Sequence, residues 1–243
     1  MFGFGKKRKE VRQLMDGLYD VHCHLLPGVD DGSPSAEISL KLLDKLAGMG
    51  VEGAYLTPHV MAGAYGRNDR ISLNRKFEAF GYDGPIKLKL AAEHLLDEKF
   101  PVHLQNGPLT LADEYVLVEF TLGGFPARAF DLLFEISLQG YTPILAHPER
   151  YAFLQHRVQR EQLLGRLLDA GCKFQLNLLS LTGWHGEHAK KLAEELIRRD
   201  LYTFVGTDLH SFPHLNAIET LSVESRQAEA VEKLKENNLL LWQ

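Results

Sequence analysis

Short apolar runs alternate with amphipathic stretches from one end of the chain to the other. Seven of the runs have the length and content of strands. The first, from Leu18, leads into His22 and His24; VEGAYLTPH from Val51 ends at His59; IKLKLAAEH from Ile86 ends at Glu93. EYVLVEF from Glu114 ends at Glu119, TPILAH from Thr142 ends at His147, KFQLNL starts at Lys173, and YTFVGTDLH from Tyr202 ends at Asp208 and His210. Between strands the period changes to that of a helix. Ile38, Leu42, Leu43 and Leu46 predict a helix over 35–49 that stops near Gly48 and Gly50. Similar spacing predicts helices over 72–80, 126–138 and 226–237, with Phe130 and Phe134 turned to the core.

Strands alternating with helices, with no Pro/Ser-rich linker between them, argue for one α/β domain built on a parallel sheet. The polar residues decide how that sheet closes. His22 and His24, His59, Glu93, Glu119, His147, and Asp208 with His210 all fall at or just past the C-terminal ends of apolar strands. A parallel barrel brings all such ends to one mouth, whereas an open doubly wound sheet brings only neighbouring strands to a switch point. The expected fold is a single distorted seven-stranded parallel (β/α)7 barrel, TIM-like, over residues 17–243. Residues 1–16, with the basic run Lys6–Lys9, are expected as a flexible tail.

Composition narrows the function classes. Hydrophobic residues make up 45% and charged residues 24% of 243, the balance of a globular enzyme rather than a disordered or fibrous chain. A net charge of -5 disfavours nucleic acid, and no apolar stretch is long enough for a membrane span or a signal peptide, so a cytoplasmic protein is expected. The two cysteines, Cys23 and Cys172, form no CxxC pair, which suits a reducing compartment. Neither starts a Cys-x5-Arg loop, which argues against a cysteine phosphatase.

The candidate chemistry starts at DVHCHLLPGVDDG, from Asp20 to Gly32. On a strand the side-chain period is two, so His22 and His24 share one face and Cys23 takes the other. Asp30 and Asp31 follow in a Pro/Gly-flanked loop that can fold back with carboxylate oxygen. Imidazole nitrogen mixed with carboxylate oxygen suits zinc, manganese or iron better than calcium or magnesium. Paired divalent ions lower the pKa of a shared water and stabilise both oxygens of an in-line displacement. Arg150, three residues past His147, offers a guanidinium fork matched to phosphate oxygens. His94 is expected to face away from Glu93, and His185 and His188 to face solvent.

DVHCHLLPGVDDG, TPH at Thr57, AAEH at Ala91, LVEF at Leu117, AHPERY at Ala146 and GTDLH at Gly206 together resemble the polymerase-and-histidinol-phosphatase (PHP) family of metal-dependent phosphoesterases. Within it they are most similar to bacterial tyrosine phosphatases encoded with capsular and exopolysaccharide genes. The resemblance implies a trinuclear site. His22, His24, Glu93 and Asp208 would hold one metal, Glu93 would bridge to a second held by His59, Glu119 and His147, and Asp31 and His210 would place a third. It implies manganese as the usual ion, although these ligands also admit zinc or iron, and it supports Arg150 as the phosphate clamp; by their chemistry, His210 or a metal-bound water could supply a proton. The implied substrate is a phosphotyrosine protein, the tyrosine-rich tail of a bacterial kinase. No nucleic acid and no stable membrane insertion are expected, and a homo-oligomer is compatible. A histidinol-phosphate type phosphatase using the same metals is the rival reading, and a non-catalytic docking module the third.

Overall fold

The computed structural model describes residues 8–243. β1 (Arg8–Glu10) and α1 (Val11–Met15) precede β2 (Tyr19–Cys23), α2 (Ala36–Gly48), β3 (Gly53–Leu56), β4 (His59–Val60), α3 (Arg70–Phe80), β5 (Lys87–Leu90), β6 (Glu93–Leu95) and α4 (Phe100–Gln105). Then follow β7 (Tyr115–Glu119), α5 (Ala129–Leu138), β8 (Thr142–Ala146), α6 (Arg157–Asp169), β9 (Lys173–Asn177), α7 (Leu178–Thr182), α8 (Glu187–Arg198), β10 (Phe204–Gly206), α9 (Phe212–Glu219), β11 (Ser222–Glu224) and α10 (Ser225–Leu240).

The fold is mixed α/β around a curled parallel sheet of six strands, in the order β10-β9-β8-β7-β6-β4. A second parallel sheet holds β2, β3 and β5, so the expected single seven-stranded sheet is divided. Two of the predicted strands are interrupted. The run from Val51 breaks into β3 and β4 at Thr57-Pro58, where proline has no N–H to give the ladder. The run from Ile86 breaks into β5 and β6 at Ala91-Ala92. Ala91 N–H still reaches Leu56 C=O at 3.0 Å, and Glu93 N–H reaches Pro58 C=O at 3.1 Å.

The two sheets meet along β2 and β10. Asp208 N–H donates to His22 C=O at 2.7 Å, and His24 N–H donates to Leu209 C=O at 2.9 Å. Buried Asp20 accepts from the Thr207 N–H at 2.9 Å and from the Thr207 hydroxyl. Asn238 of α10 closes the seam from outside: its amide donates to Tyr19 C=O at 2.8 Å and Val205 C=O at 2.6 Å and accepts from Val205 N–H at 3.1 Å. Asn238→Ala removes all three bonds at a fully buried position and should lower unfolding stability by about 3 kcal/mol. Urea denaturation checks this; a midpoint shift equivalent to under about 1 kcal/mol would show that α10 does not hold the seam.

Inside the curl, Val21, Tyr55, Leu117, Ile144, Ala146 and Phe204 pack together from five strands, one face of each, beneath the strand ends. Outside, α2 buries Leu42, Leu43 and Leu46, and α5 buries Leu132, Leu133 and Ile136. Phe134 departs from its predicted core position and is 63% exposed, because the buried face of α5 is set by Ala129, Leu132, Leu133 and Ile136. The expected tail is also corrected in part. β1 pairs antiparallel with β11, and Val11, Leu14 and Met15 of α1 are buried, so the folded chain starts by Arg8; the rest of that expectation, residues 1–7, lies outside the described residues.

Candidate metal centre

Six strands bring polar side chains to a common point at or near their ends. His22 lies in β2 and His24 one residue beyond it, His59 opens β4, Glu93 opens β6, Glu119 closes β7, His147 follows β8 and Asp208 follows β10. Two glycines make room for the first pair. A Cβ on Gly206 would lie 2.6 Å from the His22 Cβ, and one on Gly32 would lie 2.5 Å from the His24 Cβ. His147 and Asp208 take the left-handed conformation, with φ of 36° and 53°. Non-glycine residues adopt it at a cost, and here the turn aims each side chain back over the strand that precedes it.

Glu93 is the hub. Its Oε2 lies 3.1 Å from His59 Nδ1, 3.3 Å from His24 Nε2 and 3.4 Å from His22 Nε2, and its Oε1 lies 2.9 Å from His147 Nε2. Glu119 Oε1 approaches His59 Nδ1 at 3.0 Å, and His22 and His24 approach each other through Nε2 at 3.0 Å. Asp208 Oδ1 is 3.5 Å from His22 and 3.6 Å from His24. On the outer side Asp31 Oδ1 is 3.4 Å from His59 Nε2 and 3.8 Å from His210 Nε2, while the His210 ring stacks on His24 at 3.9 Å. All nine predicted ligand residues therefore lie in one cluster. Three subsets gather donor atoms closely enough to share an ion: His22, His24 and Glu93; His59, Glu93 and Glu119; and His24, Asp31, His59 and His210.

The donor set fits divalent metal. Atoms bound at about 2.1 Å to one cation lie roughly 3.0–3.5 Å apart, the spacing seen around Glu93. His147 Nδ1 is buried with no hydrogen-bond partner, and His59 Nδ1 and Glu93 Oε2, although 3.1 Å apart, make no aligned hydrogen bond. Such orphans are costly unless something else satisfies them. The field agrees: burial alone would lower the His59 pKa, but Glu93 and Glu119 hold it up to about 12. Burial and His59 push His24 down, yet Asp30 and Glu93 raise it to about 10. Protons are drawn to the positions a cation would occupy.

A surrounding shell, largely missed from sequence, fixes these side chains. Asp30 accepts from His24 Nδ1 at 2.8 Å, from His59 N–H at 3.0 Å and from Gly32 N–H at 3.0 Å, so it orients one predicted ligand and the loop that carries another. Gln175 Oε1 meets His22 Nδ1 at 3.0 Å. Asn177 donates to Asp208 Oδ2 at 2.6 Å, and buried Glu149 anchors Asn177 N–H and the Tyr202 hydroxyl. Gln175 and Asn177 did leave a sequence signal: with Lys173 they alternate with apolar Phe174 and Leu176 along one strand. Partners that hold metal-ligating imidazoles contribute 10- to 100-fold to affinity in known sites. Asp30→Ala should therefore weaken divalent metal binding by about that factor, read by calorimetric titration of the metal-stripped protein. Unaltered affinity would reduce Asp30 to a loop brace.

Arg150, in a single 3-10 turn after His147, reaches Asp208 Oδ2 through Nη1 at 2.6 Å and stays 21% exposed, open to the mouth. His94 is buried away from the cluster, with Nε2 toward Leu109 C=O at 3.3 Å. His188 is exposed, but His185 departs from expectation: it is half-buried at the rim, 3.4 Å from Asn177, and burial together with Arg150 pushes its pKa down to about 3. Cys23 turns from the cluster as the alternation predicts, its Sγ on Tyr55 C=O at 3.4 Å. Burial pushes the Cys172 thiol up to about 12 and Cys23 well above its ordinary value, so neither is a thiolate nucleophile.

No helix among the described residues is long and apolar enough to cross a membrane. The chain is similar to the tyrosine-protein phosphatase YwqE of Bacillus subtilis, 27% identical over 212 residues, covering 80% of this chain and 78% of that protein. It is similar to CapC of Staphylococcus aureus, 30% identical over 201 residues and covering 80% and 77%, and to the tyrosine-protein phosphatase CpsB of Streptococcus pneumoniae, 27% identical over 205 residues and covering 80% and 83%. Among solved structures it superposes with a TM-score of 0.70 at 28% identity, over 92% of this chain and 94% of the other, on one reported with YwqE and CpsB as unique metal-dependent tyrosine phosphatases. The family model for capsular polysaccharide synthesis, CpsB/CapC, matches residues 18–237, and the chain belongs to that family.

Proposed function

We propose that this chain is a metal-dependent protein-tyrosine phosphatase of capsular polysaccharide synthesis, acting in the cytoplasm on the phosphotyrosine-bearing tail of a partner kinase. The observation that carries the reading is the convergence of five imidazoles and four carboxylates on one rim, with Arg150 beside them. Relatives named tyrosine-protein phosphatases support the reaction. In this reading the two parallel sheets are one distorted seven-stranded barrel, β3 with β4 and β5 with β6 each counting as one strand, in a single domain over residues 17–243 to which β1 and α1 add their own packing. The ions are three, manganese first, with iron or zinc admitted by the donors. His22, His24, Glu93 and Asp208 would hold one, His59, Glu119 and His147 together with Glu93 would hold a second, and Asp31 with His210 would place a third.

When bound, the ions supply Lewis acidity that activates water and stabilises charge on the phosphoryl oxygens. Arg150 turns its remaining donors to those oxygens while Asn177 keeps Asp208 in place. A tyrosine phenol, with a pKa of about 10, departs with little acid help. His210 donates from Nδ1 to the Asp208 C=O at 2.8 Å, which leaves Nε2, facing Asp31, as the atom that would meet an ion.

The test compares a phosphotyrosine peptide with histidinol phosphate on manganese-loaded protein. Preference for the peptide is expected. A strong preference for histidinol phosphate would move the chain to the small-molecule class, and turnover of neither would leave a docking module.

A further inference from the structure

Beside the metal cluster lies a second cavity of about 680 Å³, within the range of natural ligand pockets. Tyr65 separates the two: its ring lines the cavity and stacks on the His59 imidazole, with centroids 5.7 Å apart and planes within 6°. Buried Asn68 ties the wall to the site by donating to His59 C=O at 2.8 Å and Val29 C=O at 3.0 Å. The rest of the lining includes Arg67, Lys76 and Lys99 and no carboxylate. Among the described residues none of these three cations is ion-paired. Of the nearby acids, Asp97 accepts from the N–H groups of Ala62, Lys99 and Phe100, Asp69 caps α3 by accepting from Ser72 N–H, and Asp31 faces His59 and His210 in the cluster. In a chain of net charge -5, three unpaired cations around one concavity are a local reversal of sign.

We propose that this cavity is a subsite for an anionic group carried by the same peptide as the scissile phosphotyrosine, a carboxylate or a second phosphoryl group, one to three residues away. An extended peptide advances about 3.3–3.6 Å per residue, so a residue one to three positions away lies roughly 3–11 Å along, a span that brackets the 5.7 Å between His59 and the Tyr65 ring at the cavity wall. Lys99, whose Nζ lies close to Gly66, and Lys76 on α3 reach the same cavity from different elements, so an anion can meet both without requiring a fixed pose. Such a site raises kcat/KM for acidic substrates through encounter and binding, with the strong salt dependence of exposed charges. The inference rests on the phosphotyrosine reading above.

The experiment uses the manganese-loaded full chain and three phosphotyrosine peptides: one with neutral flanks, one with glutamates flanking the phosphotyrosine, and one with a neighbouring non-hydrolysable phosphotyrosine analogue. The quantity read is the ratio of kcat/KM for each anionic peptide to that for the neutral one, which cancels changes in the shared chemistry. In the unaltered protein a ratio of about 5 or more is expected at low salt, falling toward 1 at 0.5 M salt. Lys76→Glu/Lys99→Glu should bring the ratio below 1. A gain with glutamate identifies carboxylate as sufficient, and a gain with the analogue alone narrows the ligand to a phosphoryl group. Ratios near 1 for both peptides, or ratios that the charge reversal leaves unchanged, overturn the subsite while phosphotyrosine turnover stands. Absence of turnover on all three peptides overturns the phosphatase reading itself.

Discussion

Arg150→Ala should lower kcat/KM on a phosphotyrosine peptide by about 100- to 1000-fold while the protein keeps its metal content, the scale of losing one preorganised donor at a developing charge. Arg150 is placed for both roles that this experiment separates. Its Nη1 holds Asp208 at 2.6 Å, yet the side chain remains 21% exposed at the mouth. Asp208 retains a second holder in Asn177, so removing the guanidinium leaves that carboxylate tethered. Retained metal with lost turnover marks a clamp on phosphate. Lost metal with lost turnover would instead make Arg150 a brace for Asp208. Arg150→Lys keeps the charge without the fork and should recover only about a tenth of the activity.

Glu93→Gln should reduce bound metal by at least one ion per chain and bring turnover to background. Four imidazoles stand within 3.4 Å of this carboxylate, and no other acid in the cluster can replace it at the centre. The neutral amide keeps the volume of Glu93 while removing the anion that those rings surround. A second readout is independent of activity. Ligand that binds only the folded state stabilises by mass action, so added manganese should raise the melting temperature of the unaltered protein and leave Glu93→Gln almost unmoved. Equal shifts in the two proteins would sink the assignment of Glu93 as the shared ligand.

Much of the cluster was legible in sequence because strand alternation is rigid. His22 and His24 had to share a face, and Glu119, His147 and Asp208 had to project where their strands stop. The division of the sheet was less legible: the runs from Val51 and Ile86 are apolar straight through their breaks, and only Pro58 marks one of them. Asp30 was passed over for a different reason. Two adjacent aspartates in a loop are equivalent by composition, and only the folded turn shows that Asp30 goes inward to His24 while Asp31 stays 56% exposed at the mouth. The small β1–β11 sheet joins residues from the two ends of the described chain, and no local pattern announces such a pairing. His185 looked like a surface residue until the turn before α8 folded it against Asn177.

The seam between β2 and β10 also sets a timetable for the living molecule. Asp20 and Thr207, which latch it, are separated by 187 positions, and His22 waits on the far side of the same latch for Asp208. During translation the first two imidazoles and Glu93 leave the ribosome early, but Asp208, the second carboxylate beside those imidazoles, emerges only after the last strand of the parallel sheets. Contacts of such long range form slowly. The complete centre therefore forms only after β10 has been made, and products that stop before it carry His22 and His24 without Asp208.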